Sequence, residues 1–148
     1  MRYLLPTFVA LSLPALVASA HRANKIESVG NPLPAAFQDK PAIVQIKSRN
    51  CPMCRKMEPI VQEVKDKYKG KVTFITFDIT DSNSLQEARK VAATVKLTDF
   101  FAKHGGQMGL ILAVDPRSGK VLEQFSQGST VDTFTKVLDE ALAELAKK

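Results

Sequence analysis

Along this chain the apolar positions change period several times, and each change marks an element. From Ala42 to Lys47 the run Ala-Ile-Val-Gln-Ile-Lys is short, β-branched and apolar, as a largely buried strand should be. After Pro52 the period becomes helical. Met53, Met57, Ile60, Val61, Val64 and Tyr68 fall on one stripe, with Glu63, Lys65 and Lys67 facing away. Proline suits the first turn of such a helix, because the N–H it lacks would have no partner there. Lys69-Gly70 closes the helix. Lys71 to Thr80, carrying Val72, Phe74, Ile75, Phe77 and Ile79, predicts a second core strand.

Asp81 and Ser82 offer N-caps for a second helix with Leu85, Ala88, Val91, Ala92 and Val95 on its apolar face. Leu97 to Gly109 shows no clear period. Leu110 to Val114 and Val121 to Phe125 read as two strands joined by the turn-rich Asp115-Pro116-Arg117-Ser118-Gly119, which makes an antiparallel hairpin. Ser129 or Thr130 then caps a last helix, with Val131, Phe134, Val137, Leu138, Ala141, Leu142 and Leu145 as its buried face. The order strand, helix, strand, helix, hairpin, helix predicts an α/β domain over residues 41–148, with a central mixed sheet of about four strands and helices on both faces.

Two segments precede that domain. Residues 21–40 read as an irregular lead-in broken by Asn31-Pro32 and Pro34, with Leu33, Ala36 and Phe37 available to pack underneath. Residues 1–20 have the form of a secretory signal: Arg2 as the charge, an apolar run from Leu4 to Val17, and Ala18-Ser19-Ala20 as a cleavage site. Export to a periplasm, lumen or exterior is therefore expected, with cleavage near Ala20. The alternative is an uncleaved N-terminal membrane anchor, for which the run is short and carries Pro6 and Pro14. No membrane span is expected in the mature chain, which reads as a monomer.

Composition adds mostly exclusions. Apolar residues at 45% with charged residues at 24% describe a folded globule, not a disordered chain. The net charge of +6 comes from scattered lysines and arginines, without the basic block or aromatic interleaving of a nucleic-acid site. Nucleic acid is not expected as a partner.

The candidate chemistry is Cys51-Pro52-Met53-Cys54, which contains the chain's two cysteines. Between a buried strand and the first turn of a helix, the first sulfur faces unpaired N–H groups and the positive end of the helix dipole, which favours a thiolate. Arg49, Arg55 and Lys56 add positive charge nearby. Cys51 is thus expected to be an exposed nucleophile and Cys54, one turn on, its resolving partner. Two other readings stand beside this one. A structural disulfide would close so small a loop that it removes only about 2 kcal/mol of chain entropy. A metal site would need further ligands, and His21 and His104 lack the usual paired spacing. Neither a metal nor a cofactor is expected. His104 reads as a loop residue, and Met53 and Met57 as core filler.

From Cys51 to Phe74 the sequence resembles the thioredoxin family's active-site helix and following strand, including Pro59, five residues after the second cysteine. By order of elements the resemblance covers most of Ala42 to Leu145. It implies a thioredoxin-like fold and thiol-disulfide oxidoreductase activity on protein disulfides or dithiols, together with a redox partner protein. Several positions depart from the family pattern. Asn50 stands where members often carry tryptophan, and Pro52-Met53 where Gly-Pro is common. Gln45 occupies the place of a buried acid that helps move the resolving thiol's proton. No proline lies between Pro59 and Pro116, so Met108 or Gly109 stands where a cis-proline normally opens the strand opposite the cysteines. That gap keeps an alternative open: a non-catalytic binding module that holds a partner through its altered active-site face. The connection before that strand is also about a dozen residues longer than in a minimal member. Phe100-Phe101 with Gly105-Gly106 is expected to form a partner-specific surface there.

Overall fold

The computed structural model describes residues 25–147, so the signal-like segment lies outside the described residues. The elements run β1 (Ala42–Lys47), α1 (Pro52–Lys67), β2 (Thr73–Asp78), α2 (Ser82–Thr94), α3 (Thr98–His104), β3 (Ile111–Val114), β4 (Val121–Phe125) and α4 (Val131–Ala146). The sheet order is β2-β1-β3-β4. β1 pairs parallel with β2 and antiparallel with β3, and β3 pairs antiparallel with β4. This is the α/β mixed sheet that the order of periods predicts, in the thioredoxin-like arrangement that the resemblance implies.

Strand β1 is central and buried along nearly its whole length, which explains its unbroken apolar run. Its alternate residues feed two cores. Ala42, Val44 and Ile46 pack with α2, α3 and the lead-in segment, whereas Ile43 packs with α1 and α4. On the second face Phe125 of β4 stacks on Phe134 of α4 with ring centroids 3.7 Å apart. Tyr68, just past α1, donates its hydroxyl to Asp139 Oδ1 at 2.7 Å and so ties α1 to α4. Burial first, and the Asp139 carboxylate second, push the Tyr68 phenol above its ordinary pKa.

Three local readings need correction. The segment without a clear period contains α3, a helix of two turns that buries Phe100 and Phe101 in the core. Phe101 packs on Phe77 at 4.8 Å, so these phenylalanines fill the extra connection from inside and do not form a partner surface. In α2, Val91 is exposed, because the seam is carried by Ala88, Ala92 and Val95.

The lead-in segment is less irregular than its breakers imply. It holds a 3-10 turn at Ala35–Phe37 and an isolated antiparallel bridge between Ser28 and Lys120. Val29 N–H donates to Gly119 O, and Val121 N–H donates to Glu27 O, both at 2.8 Å. Ile26, Val29 and Leu33 are buried against the outer edge of β4. Ala36 is exposed, contrary to expectation, because the 3-10 turn directs Phe37 and not Ala36 toward the core.

Candidate active site

The site forms where β1 runs out into α1. Ser48 is buried directly after the strand. Its carbonyl accepts the Cys51 N–H at 3.1 Å, and its hydroxyl accepts the Asn50 N–H at 3.2 Å. These bonds turn the chain so that Cys51, in extended conformation, becomes the N-cap of α1, with Pro52 in the first turn. Cys51 Sγ then accepts the Cys54 N–H at 3.2 Å. A thiolate accepts such a bond more strongly than a thiol does. The two cysteines are in the dithiol form.

Cys51 is not the exposed side chain that its position implies. It is 5% exposed and Cys54 4%. The cause is the cap itself: by turning back to accept an N–H of its own helix, the sulfur tucks under the first turn instead of projecting into water. It nevertheless lies one residue from the surface, since Asn50 and Pro52 on either side are exposed.

The two thiols differ in character. Burial pushes the Cys54 thiol above its ordinary pKa, and a hydrogen bond and charge interaction with Cys51 add to the effect. A backbone hydrogen bond from Ser48 partly opposes them. Cys54 is therefore held in its protonated form more firmly than an ordinary thiol.

The surrounding charges are partly neutralised. Arg49 lies 3.4 Å from Asp81 across the end of the sheet. Asp81 in turn caps α2, and the Ser84 amide, then Arg49, hold its carboxyl below the usual carboxylate range. Lys47 pairs with Glu58 at 3.5 Å. Arg55 and Lys56, exposed in the first turns of α1, make no ion pair among the described residues. Pro59 is exposed on α1, and the helix continues through it. Its missing N–H leaves the Arg55 carbonyl without that intrahelical bond.

Opposite this loop the chain solves the missing proline in its own way. Leu110 N–H donates to Gln107 O at 3.3 Å, closing a turn with Gly109 at its third position and φ +85°. A glycine with positive φ there defines a type II turn. Gly109 N–H also donates to Ile46 O, while Ile46 N–H donates to Leu110 O, both at 2.9 Å. Two residues thus face one on β1, a glycine-first bulge of the sort that re-aims side chains beside active sites. Every peptide bond among the described residues is trans. A Cβ on Gly109 would stand 3.2 Å from Met53 Cε, so this turn rests directly on the Cys-x-x-Cys loop. Met53 is half-buried there, and Met108 projects outward.

Gln45 is 3% exposed on β1, paired across the sheet with Thr76 and Ile111. It places a neutral carboxamide where a titratable group is expected from the resemblance. Ser48 is the residue that sequence reasoning missed. Its signal was a small hydroxyl residue between strand and cysteine, the position of a side-chain-to-backbone turn. His104 is not the loop residue expected but ends α3, its ring tilted 34° against Phe100 with centroids 5.1 Å apart, and Met57 fills the core beneath α1. Grooves of about 620 and 610 Å³ open elsewhere, and neither is lined by a cysteine. Among the described residues no helix is long and apolar enough to cross a membrane.

No curated protein sequence matches this chain. Among solved structures it is similar to a thiol:disulfide interchange protein of the thioredoxin family from Chlorobium tepidum TLS. The two are 18% identical over 81% of this chain and 99% of that one, with a TM-score of 0.54. It is also similar to MTB dsbF in its mixed oxidized and reduced forms, at 23% identity over 72% and 84% of the two chains and a TM-score of 0.50. At these identities the likeness is one of fold. The thioredoxin family model matches residues 32–140, which include the strand, cap, dithiol and hairpin described above. With that match across most of its length, the chain belongs to the thioredoxin family.

Proposed function

We propose that this protein carries out thiol-disulfide exchange on exported proteins, with Cys51 as nucleophile and Cys54 as resolving thiol. The observation that carries the reading is the asymmetry of the dithiol. Cys51 caps a helix and accepts a backbone N–H, while Cys54 behind it is held as a thiol. In the reductive direction Cys51 thiolate attacks one sulfur of a substrate disulfide. A Cys51–substrate bond forms, the substrate's own S–S bond breaks, and the leaving sulfur takes the electron pair and then a proton from water. Cys54 next gives up its proton to solvent and attacks Cys51 Sγ, which releases the second substrate sulfur. The substrate gains two electrons and the protein pair becomes a disulfide. The reverse sequence oxidises a substrate dithiol.

Because Cys51 is nearly covered, capture requires a local opening of the turn from Asn50 to Met53. Gln45 supplies no acid or base for the second step, so the Cys54 proton leaves through water. Export follows from the signal-like residues 1–20, and a separate redox partner protein resets the pair.

The Cys54→Ser variant should accumulate mixed disulfides with partner proteins, and an insulin-type reduction assay should lose all activity in Cys51→Ser. Absence of both effects would sink the reading. The second reading, a binding module without catalysis, is favoured by the trans Met108-Gly109 turn in place of the usual proline. It predicts partner retention that survives Cys51→Ser.

A further inference from the structure

Strand β2 is the sheet edge whose outer side pairs with none of the described residues. Thr73 N–H donates to Pro41 O and Ile79 N–H donates to Lys47 O, both at 2.9 Å, so the odd-numbered residues of this stretch turn their N–H and C=O toward β1. Phe74, Thr76 and Asp78 therefore present theirs outward. Natural edges are usually blunted by proline, a bulge or an inward-pointing charge. β2 has none of these: Thr-Phe-Ile-Thr-Phe-Asp runs in unbroken register with β1, and its one charge, Asp78, stands at its end.

The charges at this edge are also unpaired. Phe74 packs with the α1 core and Ile75 and Phe77 with the opposite one, so Phe74, Thr76 and Asp78 share the α1 face. There Lys65 of α1 lies over the Phe74 ring, its Nζ 5.9 Å from the centroid, and makes no ion pair among the described residues. Asp78 makes none either, because Lys47 beside it in register pairs with Glu58. A cation at one end of a strand and an anion at the other are complementary to a copy of the same strand running the opposite way.

We infer that β2 pairs antiparallel with β2 of a second copy of this chain, about a twofold axis through Thr76, and that the two copies share one continuous sheet. In that register Thr76 faces the partner's Thr76 and Phe74 faces the partner's Asp78. All three outward-facing residues of β2 then enter hydrogen-bonded pairs, with opposed Cα atoms about 5.5 Å apart. Each Asp78 comes within reach of the other copy's Lys65, which adds charge complementarity to the backbone bonds. This departs from the monomer expected from the sequence. The chain's own leading segment is the competing occupant, but it enters beyond the far side of β4, where Ile26 N–H donates to Gln124 Oε1. With cleavage near Ala20, residues 21–24 span at most about 14 Å. The open side of β2 lies roughly 24 Å away across the sheet, at about 4.8 Å per strand. The pairing leaves both dithiols free, since antiparallel copies place the C-terminal ends of their β1 strands at opposite ends of the joined sheet.

Sedimentation equilibrium and amide exchange on the purified protein test this together. At high micromolar concentration the mass should be twice that of one chain. The Phe74, Thr76 and Asp78 amides should be protected there and lose that protection on dilution, while Ile75 and Phe77 keep theirs. Thr76→Pro removes an outward N–H and no bond to β1, a place where an edge strand tolerates proline, and should leave a monomer. Should that variant not fold, Lys65→Glu reads the same contact from α1. Two attractions become two repulsions, so the dissociation constant of the dimer should rise about tenfold at low salt, and the gap should narrow at high salt. A monomer whose edge amides exchange freely would overturn the pairing. A monomer with those amides protected would overturn it in favour of the chain's own leading residues. A dimer that leaves them unprotected, or that neither variant weakens, would overturn it by placing the interface elsewhere.

Discussion

Cys54 shows how far the surroundings of one sulfur set its role. Its thiol is held protonated by burial before any partner acts, and Cys51 beside it adds to the effect. Alkylation at Cys54, followed peptide by peptide with mass spectrometry, should stay slow through neutral pH and rise only above pH 9, the ordinary value of the thiol. Fast labelling at neutral pH would show that the burial is not maintained in solution. The sign for stability follows from the same shift. A folded-state pKa raised above the unfolded one stabilises the fold below pH 9 and loses that contribution as the pH climbs through the folded value. At this scale the sequence was legible where chemistry is local. The Cys-x-x-Cys spacing and Pro52 in the first turn identified the pair and the helix start without any tertiary information. It was not legible in the exposure of Cys51, which depends on whether the sulfur turns outward or back to its own helix. Nor did it reveal Ser48, whose role emerges only once the strand end and the cap are both in place.

At the level of elements, α2 ends in a way that apolar periodicity cannot show. Lys96 N–H donates to Ala93 O at 3.3 Å, and Leu97 N–H reaches back to Ala92 O at 2.8 Å, with Lys96 at φ 59°. This is the paired-bond closure that helices usually reserve for glycine. An L side chain in that conformation costs roughly 1–2 kcal/mol, offset in part by the stiffer unfolded chain that lysine gives. Lys96→Gly should therefore raise stability by about 0.5–1 kcal/mol, read as a higher denaturant midpoint with unchanged slope. A fall would mean that the lysine side chain contributes a contact of its own. The hairpin and the final helix were legible because their caps and turns, Thr130 and Asp115 to Gly119, are written in consecutive residues. Helix α3 was not. Its seven residues, Thr98–His104, are too few to establish a period, and Phe100-Phe101 side by side imitate an apolar patch. Only the core beneath them, with Phe77 in contact, shows that both rings point inward.

Across the whole molecule the sheet's two edges differ. The outer side of β4 is covered by the lead-in segment, whereas β2 forms the opposite edge. The cover depends on Gly119. At φ +72° its absent Cβ would stand 2.5 Å from the Asn31 carbonyl oxygen, a distance that backbone cannot yield cheaply. Gly119→Ala should cost more than about 1 kcal/mol. Amide exchange should locate the damage, with Val29 and Val121 losing protection while Val44 in β1 keeps it until global unfolding. Uniform loss of protection would show that the segment and the sheet unfold as one unit. The order of layers was legible in the sequence because strand and helix periods alternate cleanly. The docking of residues 25–40 was not, since it rests on pairing with residues some ninety positions away.

The central claim is that Cys51 and Cys54 form a reversible redox couple, and equilibration with a series of glutathione buffers tests it most directly. The account predicts complete interconversion of dithiol and disulfide with a midpoint between about −270 and −120 mV. A midpoint below about −300 mV, or thiols that never exchange with glutathione, would mark the pair as inert and contradict it.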